Sequence, residues 1–414
     1  MMDKIGGALD YLSSLNETHD ADLIMIVDGF DVWYQLPPQI MIDRYHEVNL
    51  KAEARSQDMN DDLIEERFPQ TIIIAAQKRC WPGSPNDINY YAIPESSLPK
   101  YIYGPQTDVP SNDPRNEYKR TRQRFLNAGF IIGPVKEMRT LFLRAQEKAE
   151  ADREVEGKDQ NVLANIFGEQ EFMRSQSRLQ RYYPHNSTYT SSTNSDDPDD
   201  SPRNVFHPTE GKNYEFGISL DYEASLSIPT VFAEYDLHWI TYTNATSISA
   251  AIKEYNITHP GISTLQPDIA ALPSDTTTWS QTPLYTNLWT GITPALIHHN
   301  AHRDNLKSRR ESMWARMWFQ PYARTLLDLK LSEEESAMAV DERGKRWYRP
   351  IGRAEVRERG WGAPTWNQGK EGWERWGALC GEGEQEEVFR DGGGKWREGG
   401  GVGGERVAED WVGG

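Results

Sequence analysis

Two carboxylates three residues apart, Asp28 and Asp31, follow directly on the apolar run Leu23-Ile24-Met25-Ile26-Val27. A hard divalent cation takes anionic oxygens and keeps positions open for substrate phosphates, so one or two protein carboxylates suffice to hold it. An acidic turn closing a strand is the plain alternative. A second polar pair, Asp159-Gln160, stands directly ahead of a helical stretch, where Asp159 can cap the helix. A third cluster, His298-His299-Asn300, ends the apolar run Pro294-Ala-Leu-Ile.

These residues need elements that present them. The unbroken run Leu23–Val27 is expected to be a central parallel strand covered on both faces, and in open α/β sheets ligands lie beyond the carboxyl ends of such strands. Gly7 to Leu15 reads as the end of a helix leading into it. Ile40, Met41, Tyr45 and Val48 recur at helical spacing, Thr71–Ala76 is a second strand, and Phe125–Gly133 is a third, interrupted by glycine where a backbone passes close to something. Met138, Leu141, Phe142 and Ala145 mark an amphipathic helix, and Asn161 to Phe167 begins another. Order resumes at Tyr214–Tyr222, and Pro294–Asn300 reads as the last core strand. Alternating strands and helices predict an α/β fold.

The chain has 414 residues, 37% of them hydrophobic, and a mean hydropathy of -0.74. These values fit one globular domain with unstructured segments. A net charge of -18 argues against a nucleic-acid binder, whose phosphate contacts need a basic face. No run reaches the length of a membrane span, and the first residues lack a signal-peptide pattern. Cys80 and Cys380 are too few for a disulfide framework or a cysteine zinc site. Four N-x-S/T sequons, at Asn16, Asn186, Asn244 and Asn256, lean towards a secretory compartment; Asn186 is the expected site of use, and Asn16 is less favoured because its neighbourhood is expected to pack near the core. The polar segment at about 185–213 reads as a surface insertion. Residues 331–414, mainly Gly, Glu, Arg and Trp after Gly360, read as a low-complexity tail without helical or strand period.

Six pieces in fixed order carry a resemblance: Val27-Asp28-Gly-Phe-Asp31-Val, Cys80-Trp81-Pro82, Phe125-Leu-Asn127-Ala-Gly129, Lys158-Asp159-Gln160, Ile218-Ser-Leu-Asp221, and Ile297-His298-His-Asn300. Over about residues 5 to 310 the chain resembles the glycosyltransferase domain of the procollagen lysyl hydroxylases, a procollagen galactosyltransferase-like family, and their fungal relatives. The resemblance implies a GT-A fold, that is, a Rossmann-like, mixed but mostly parallel sheet with helices on both faces, spanning residues 1–330. It also implies a UDP-sugar donor, a manganese ion, and a protein or glycan hydroxyl as acceptor.

Carried over by position, Asp28 and Asp31 match the acidic metal motif and His298 the third metal ligand; two carboxylates beside a neutral imidazole suit manganese. Asp159 and Gln160 match the pair at the donor sugar, where a carboxylate can orient a hydroxyl, act as base or steady an oxocarbenium-like transition state. Lys158 stands where relatives often show another acid. Trp81 matches a tryptophan on a loop over the sugar site, with a core tryptophan beside Pro82 as the alternative. Asn127 and Gly129 match a sugar-binding amide and a close-approach glycine, although Phe130 replaces a second glycine. Asp221 is the weakest match, and a strand-end turn explains it as well.

A GT-A domain places a βαβ unit ahead of its acidic motif, and only about 27 residues precede Asp28, so the sequence reads as N-terminally incomplete. The expectation is thus a manganese-dependent UDP-sugar glycosyltransferase of the ER or Golgi lumen, bound to a membrane only through an anchor missing from this chain. The alternatives are an inactive GT-A-like binding module and a metal-dependent phosphodiester or pyrophosphate hydrolase. No Fe(II) hydroxylase triad is evident after Asn300.

Overall fold

In the computed structural model the residues described are 2–58, 68–151, 158–182, 206–257, 262, 264–272, 278–300, 309–332, 339–340, 346–347, 362–367 and 370–393. Asn186 and the centre of the polar insertion lie outside them. The chain divides into two units, the first comprising residues 1–33, 44–235 and 296–302 and the second residues 34–43, 236–295 and 303–414.

The first unit opens with helix α1 (Met2–Ser14), which buries Ile5, Leu9 and Leu12 at i, i+4 and i+7 and so presents one apolar stripe. Strand β1 (Leu23–Val27) follows, then β2 (Val32–Tyr34), helix α2 (Pro38–Asp58), which begins in the second unit and runs into the first, strand β3 (Ile72–Gln77), the short helix α3 (Ile88–Tyr91) and strand β4 (Phe125–Pro134). Helices α4 (Val135–Ala151) and α5 (Lys158–Tyr182) lead to β5 (Ile218–Asp221) and β6 (Ser227–Pro229). The main sheet has the order β1-β4-β3-β5. Its core is formed by α1, α4 and α5, which pack Leu12, Met138, Leu141, Phe142, Leu163 and Ile166 onto Ile72, Ile74, Leu126 and Ile131.

This architecture is mixed α/β, and it corrects the expectation of a mostly parallel sheet. β4 runs antiparallel to both β1 and β3; β3 and β5 are parallel. β1 is also not the central, doubly covered strand its apolar run suggested: it is half-buried along its length and neighbours only β4 in the sheet, whereas β4 is buried from Phe125 to Gly133. Five consecutive apolar residues fit either position, because Ile24 and Ile26 alone suffice to cover the helical core from the edge.

Strand β9 (Leu296–His298) lies between β2 and β6 in a three-stranded sheet, parallel to β6, and β6 packs against β3 and β4. This stacking carries the end of β9 to the end of β1.

In the second unit, β7 (Leu237–Ile240) and β8 (Leu284–Asn287) pair antiparallel, helix α6 (Ala245–Glu254) joins Ile240 of β7 in one apolar cluster through Ala251, and the short helix α7 (Pro267–Ala270) lies between α6 and β8 in the chain. Gln35 ties this unit together by donating to the Tyr285 and Pro294 carbonyls. Residues 362–367 and 370–393, expected to lack period, hold an antiparallel pair of Gly362–Asn367 with Lys370–Arg375 and two helices, Trp376–Leu379 and Glu382–Phe389. Widely spaced apolar and amide side chains, Phe389 and Gln385, are buried there without producing a visible period. Among the described residues no helix is long and apolar enough to cross a membrane.

Candidate metal centre

Asp28 follows β1, Asp31 precedes β2 and His298 ends β9; one ligand atom from each lies within 4.8 Å of the others. Asp31 and His298 are buried and Asp28 is half-buried. The Asp28 N–H donates to the Gly129 carbonyl, which continues the β1–β4 ladder one step and fixes where its side chain leaves the sheet. The His299 N–H donates to the Asp31 carbonyl, which pins the acidic turn to the end of β9.

His298 Nε2 faces Asp28 Oδ2 at 3.3 Å and Asp31 Oδ1 at 3.6 Å, while Nδ1 lies 3.2 Å from Asn127 Oδ1. The orientation of the Asn127 amide follows from its network: Oδ1 accepts from the Gly129 N–H, and Nδ2 donates to Gln77 Oε1 and Gln160 Oε1. With that oxygen accepting from Nδ1–H, the Nδ1 proton is assigned and Nε2 is the ring nitrogen that faces the two carboxylates. Two carboxylate oxygens and an imidazole nitrogen that face one another at these distances can share one divalent cation between them. The group can therefore hold a metal ion; carboxylate oxygen with imidazole nitrogen admits several divalent metals.

Gly129 is where β4 meets the imidazole. A Cβ at this position would overlap His298 Cε1 and Nδ1, so only glycine leaves His298 its place. Gly129 and Asn127, expected at a sugar, thus bear directly on the histidine.

Lys4, absent from the sequence expectations, projects from α1 into the same cluster. Its ammonium donates to Asp28 Oδ1 at 2.6 Å and to the Ala128 carbonyl at 2.8 Å, and lies 3.4 Å from Asp159 Oδ2. Burial opposes ionisation of Asp28, but the His298 and Lys4 contacts outweigh it and hold the carboxyl well below the usual carboxylate range. No local pattern marks Lys4: it is one polar residue beside the buried Ile5, and only the packing of α1 brings it here.

Asp159 lies in the first turn of α5 rather than ahead of it, since the helix already includes Lys158. Gln160 is held at both ends of its amide, accepting from Asn127 Nδ2 and the Ala128 N–H and donating to the Trp81 carbonyl. These bonds link β4 to the Trp81 loop. Trp81, joined to Pro82 by a cis peptide bond, is 46% exposed, which rules out the core alternative and leaves the indole on a loop. Asp221 is buried in a turn, its carboxylate accepting from the N–H groups of Ser225, Leu226 and Ser227. Desolvation raises its pKa despite these bonds. The turn reading therefore accounts for Asp221. Asn16 is itself exposed and caps a short helix by accepting from the Thr18 N–H, while its neighbours Leu12 and Leu15 pack in and against the core.

No known family pattern matches the chain, and no curated protein matches it significantly.

Proposed function

We propose that the chain is a metal-dependent glycosyltransferase of GT-A type that moves a hexose from a UDP-sugar to a hydroxyl acceptor. The observation that carries this reading is the convergence of Asp28, Asp31 and His298, from the turn between β1 and β2 and from the end of β9, into one group able to hold a cation. Further support comes from the order of the six sequence pieces, from the exposed Trp81 on a loop tied to the start of α5, and from Asp159 beside Lys4.

In this reading Asp28, Asp31 and His298 hold the ion, manganese being the proposed metal. When bound, it supplies charge stabilisation to a departing diphosphate. Asn127 holds the imidazole proton on Nδ1, and Gly129 leaves the ring its space. Asp159, whose side chain is 18% exposed, serves the sugar or the acceptor hydroxyl. Gln160 is a positioning residue that links the Trp81 loop to β4. The indole face of Trp81 stacks on a sugar ring or shields it from water. Residence in the secretory lumen belongs to the same proposal and rests on the sequons.

The test is calorimetry of UDP with and without manganese, followed by assay of UDP release from a panel of UDP-sugars. Manganese-dependent UDP binding with release of UDP is expected. Release of sugar phosphate instead would replace the transferase by a pyrophosphate hydrolase, and binding without turnover would leave a binding module.

A further inference from the structure

We infer that Lys4 is a resident cation of the metal centre, placed to meet an anionic, diphosphate-bearing ligand; the inference rests on the metal-centre reading above. Asp28 is divided between two partners. Its Oδ2 faces His298, on the metal side, while its Oδ1 receives the Lys4 ammonium. Lys4 therefore does not occupy the oxygen that the metal would use. The Ala128 carbonyl fixes the ammonium from the β4 side, and Asp159 lies opposite. At 22% exposure the Lys4 side chain retains access to solvent and hence to a ligand.

Charge counting gives this placement its consequence. Asp28, Asp31 and Asp159 against Lys4 leave two negative charges, which one divalent cation cancels. A diphosphate then approaches a neutral centre with an ammonium at its rim, in place of three carboxylates it would be repelled by. Removing the lysine charge must act on the two binding steps in opposite directions. The metal meets one more uncompensated negative charge and binds tighter, whereas the diphosphate loses an attractive partner and binds weaker. A lysine that merely stabilises the packing of α1 would weaken both steps or neither.

The experiment uses the full chain and its Lys4→Gln variant, in which a neutral donor of similar reach replaces the ammonium. MnCl2 is titrated alone by calorimetry, and UDP is then titrated at fixed, saturating MnCl2. Lys4→Gln is expected to bind Mn2+ on the order of tenfold tighter and UDP on the order of tenfold weaker, while Lys4→Arg keeps both within about threefold of the parent. Should the glutamine variant not fold, Lys4→Met, which preserves the aliphatic stem, serves in its place. If the parent binds Mn2+ and UDP but the neutral variants move both affinities the same way, or neither, the role of Lys4 is wrong and the metal centre stands. If the parent binds Mn2+ but no UDP, the anionic ligand is wrong. If it binds no Mn2+, the metal centre falls and this inference with it.

Discussion

His298 gains its chemistry from neighbours that do not touch a ligand. Asn127 decides which ring nitrogen carries the proton, and Gly129 decides whether the ring fits. Outer partners of this kind typically change metal affinity by about 10–100-fold. Asn127→Leu should therefore weaken Mn2+ binding by about that factor while the chain stays folded; calorimetry together with circular dichroism checks it, and unchanged affinity would remove Asn127 from the site. Asp28 gives a pH prediction. Its carboxyl is held low by His298 and Lys4, with burial opposing, so the stability it contributes is present above the unfolded carboxylate pKa of about 3.9 and lost as pH falls through the lower folded value. In the absence of metal, the stability difference between the parent and Asp28→Asn should be flat above about pH 5 and shrink only in stronger acid. A difference that vanishes already near pH 6 would mean that the carboxylate is not held in this way.

At the scale of elements, much was legible where a period met a core. Helix α2 buries Ile40, Met41, Tyr45 and Val48, and α4 buries Met138, Leu141, Phe142 and Ala145, as their spacing predicts. Strand direction was not legible. The runs in β1 and β4 are what parallel, doubly covered strands carry, yet both take part in antiparallel pairs, because direction is set by the connections and not by the run itself. The roles of Gln160 and Asp221 were hidden for a related reason: a polar residue at a strand end or helix start serves a ligand or a backbone equally well, and only the partners decide. For Asp221 those partners are three N–H groups in the turn from β5 to β6. Asp221→Ala leaves them buried without acceptors and should cost about 2–4 kcal/mol in urea unfolding, with Mn2+ affinity within about twofold of the parent. A parallel loss of Mn2+ binding would return Asp221 to the site.

Across the whole molecule, every residue of the candidate centre belongs to the first of the two units, although that unit is assembled from three separate stretches of chain. The sequence placed Asp28 and Asp31 at the end of a strand, but the convergence of His298 on them depends on β9 joining β6, and β6 packing on β3 and β4. The arrival of Lys4 depends on the packing of α1. Neither is encoded by a local pattern. A chain with a net charge of -18 offers many exposed acids for weak cation binding. The centre differs from these in having an imidazole with an assigned Nδ1 proton and one buried carboxylate, so its affinity should stand apart from theirs and vanish with a single side chain. The decisive measurement is calorimetric titration of MnCl2 into the full chain and its His298→Ala variant, with circular dichroism confirming that both are folded. One tight site in the parent, absent from the variant and with only weak binding remaining, is the predicted result; equal titrations for the two folded proteins would contradict the metal centre.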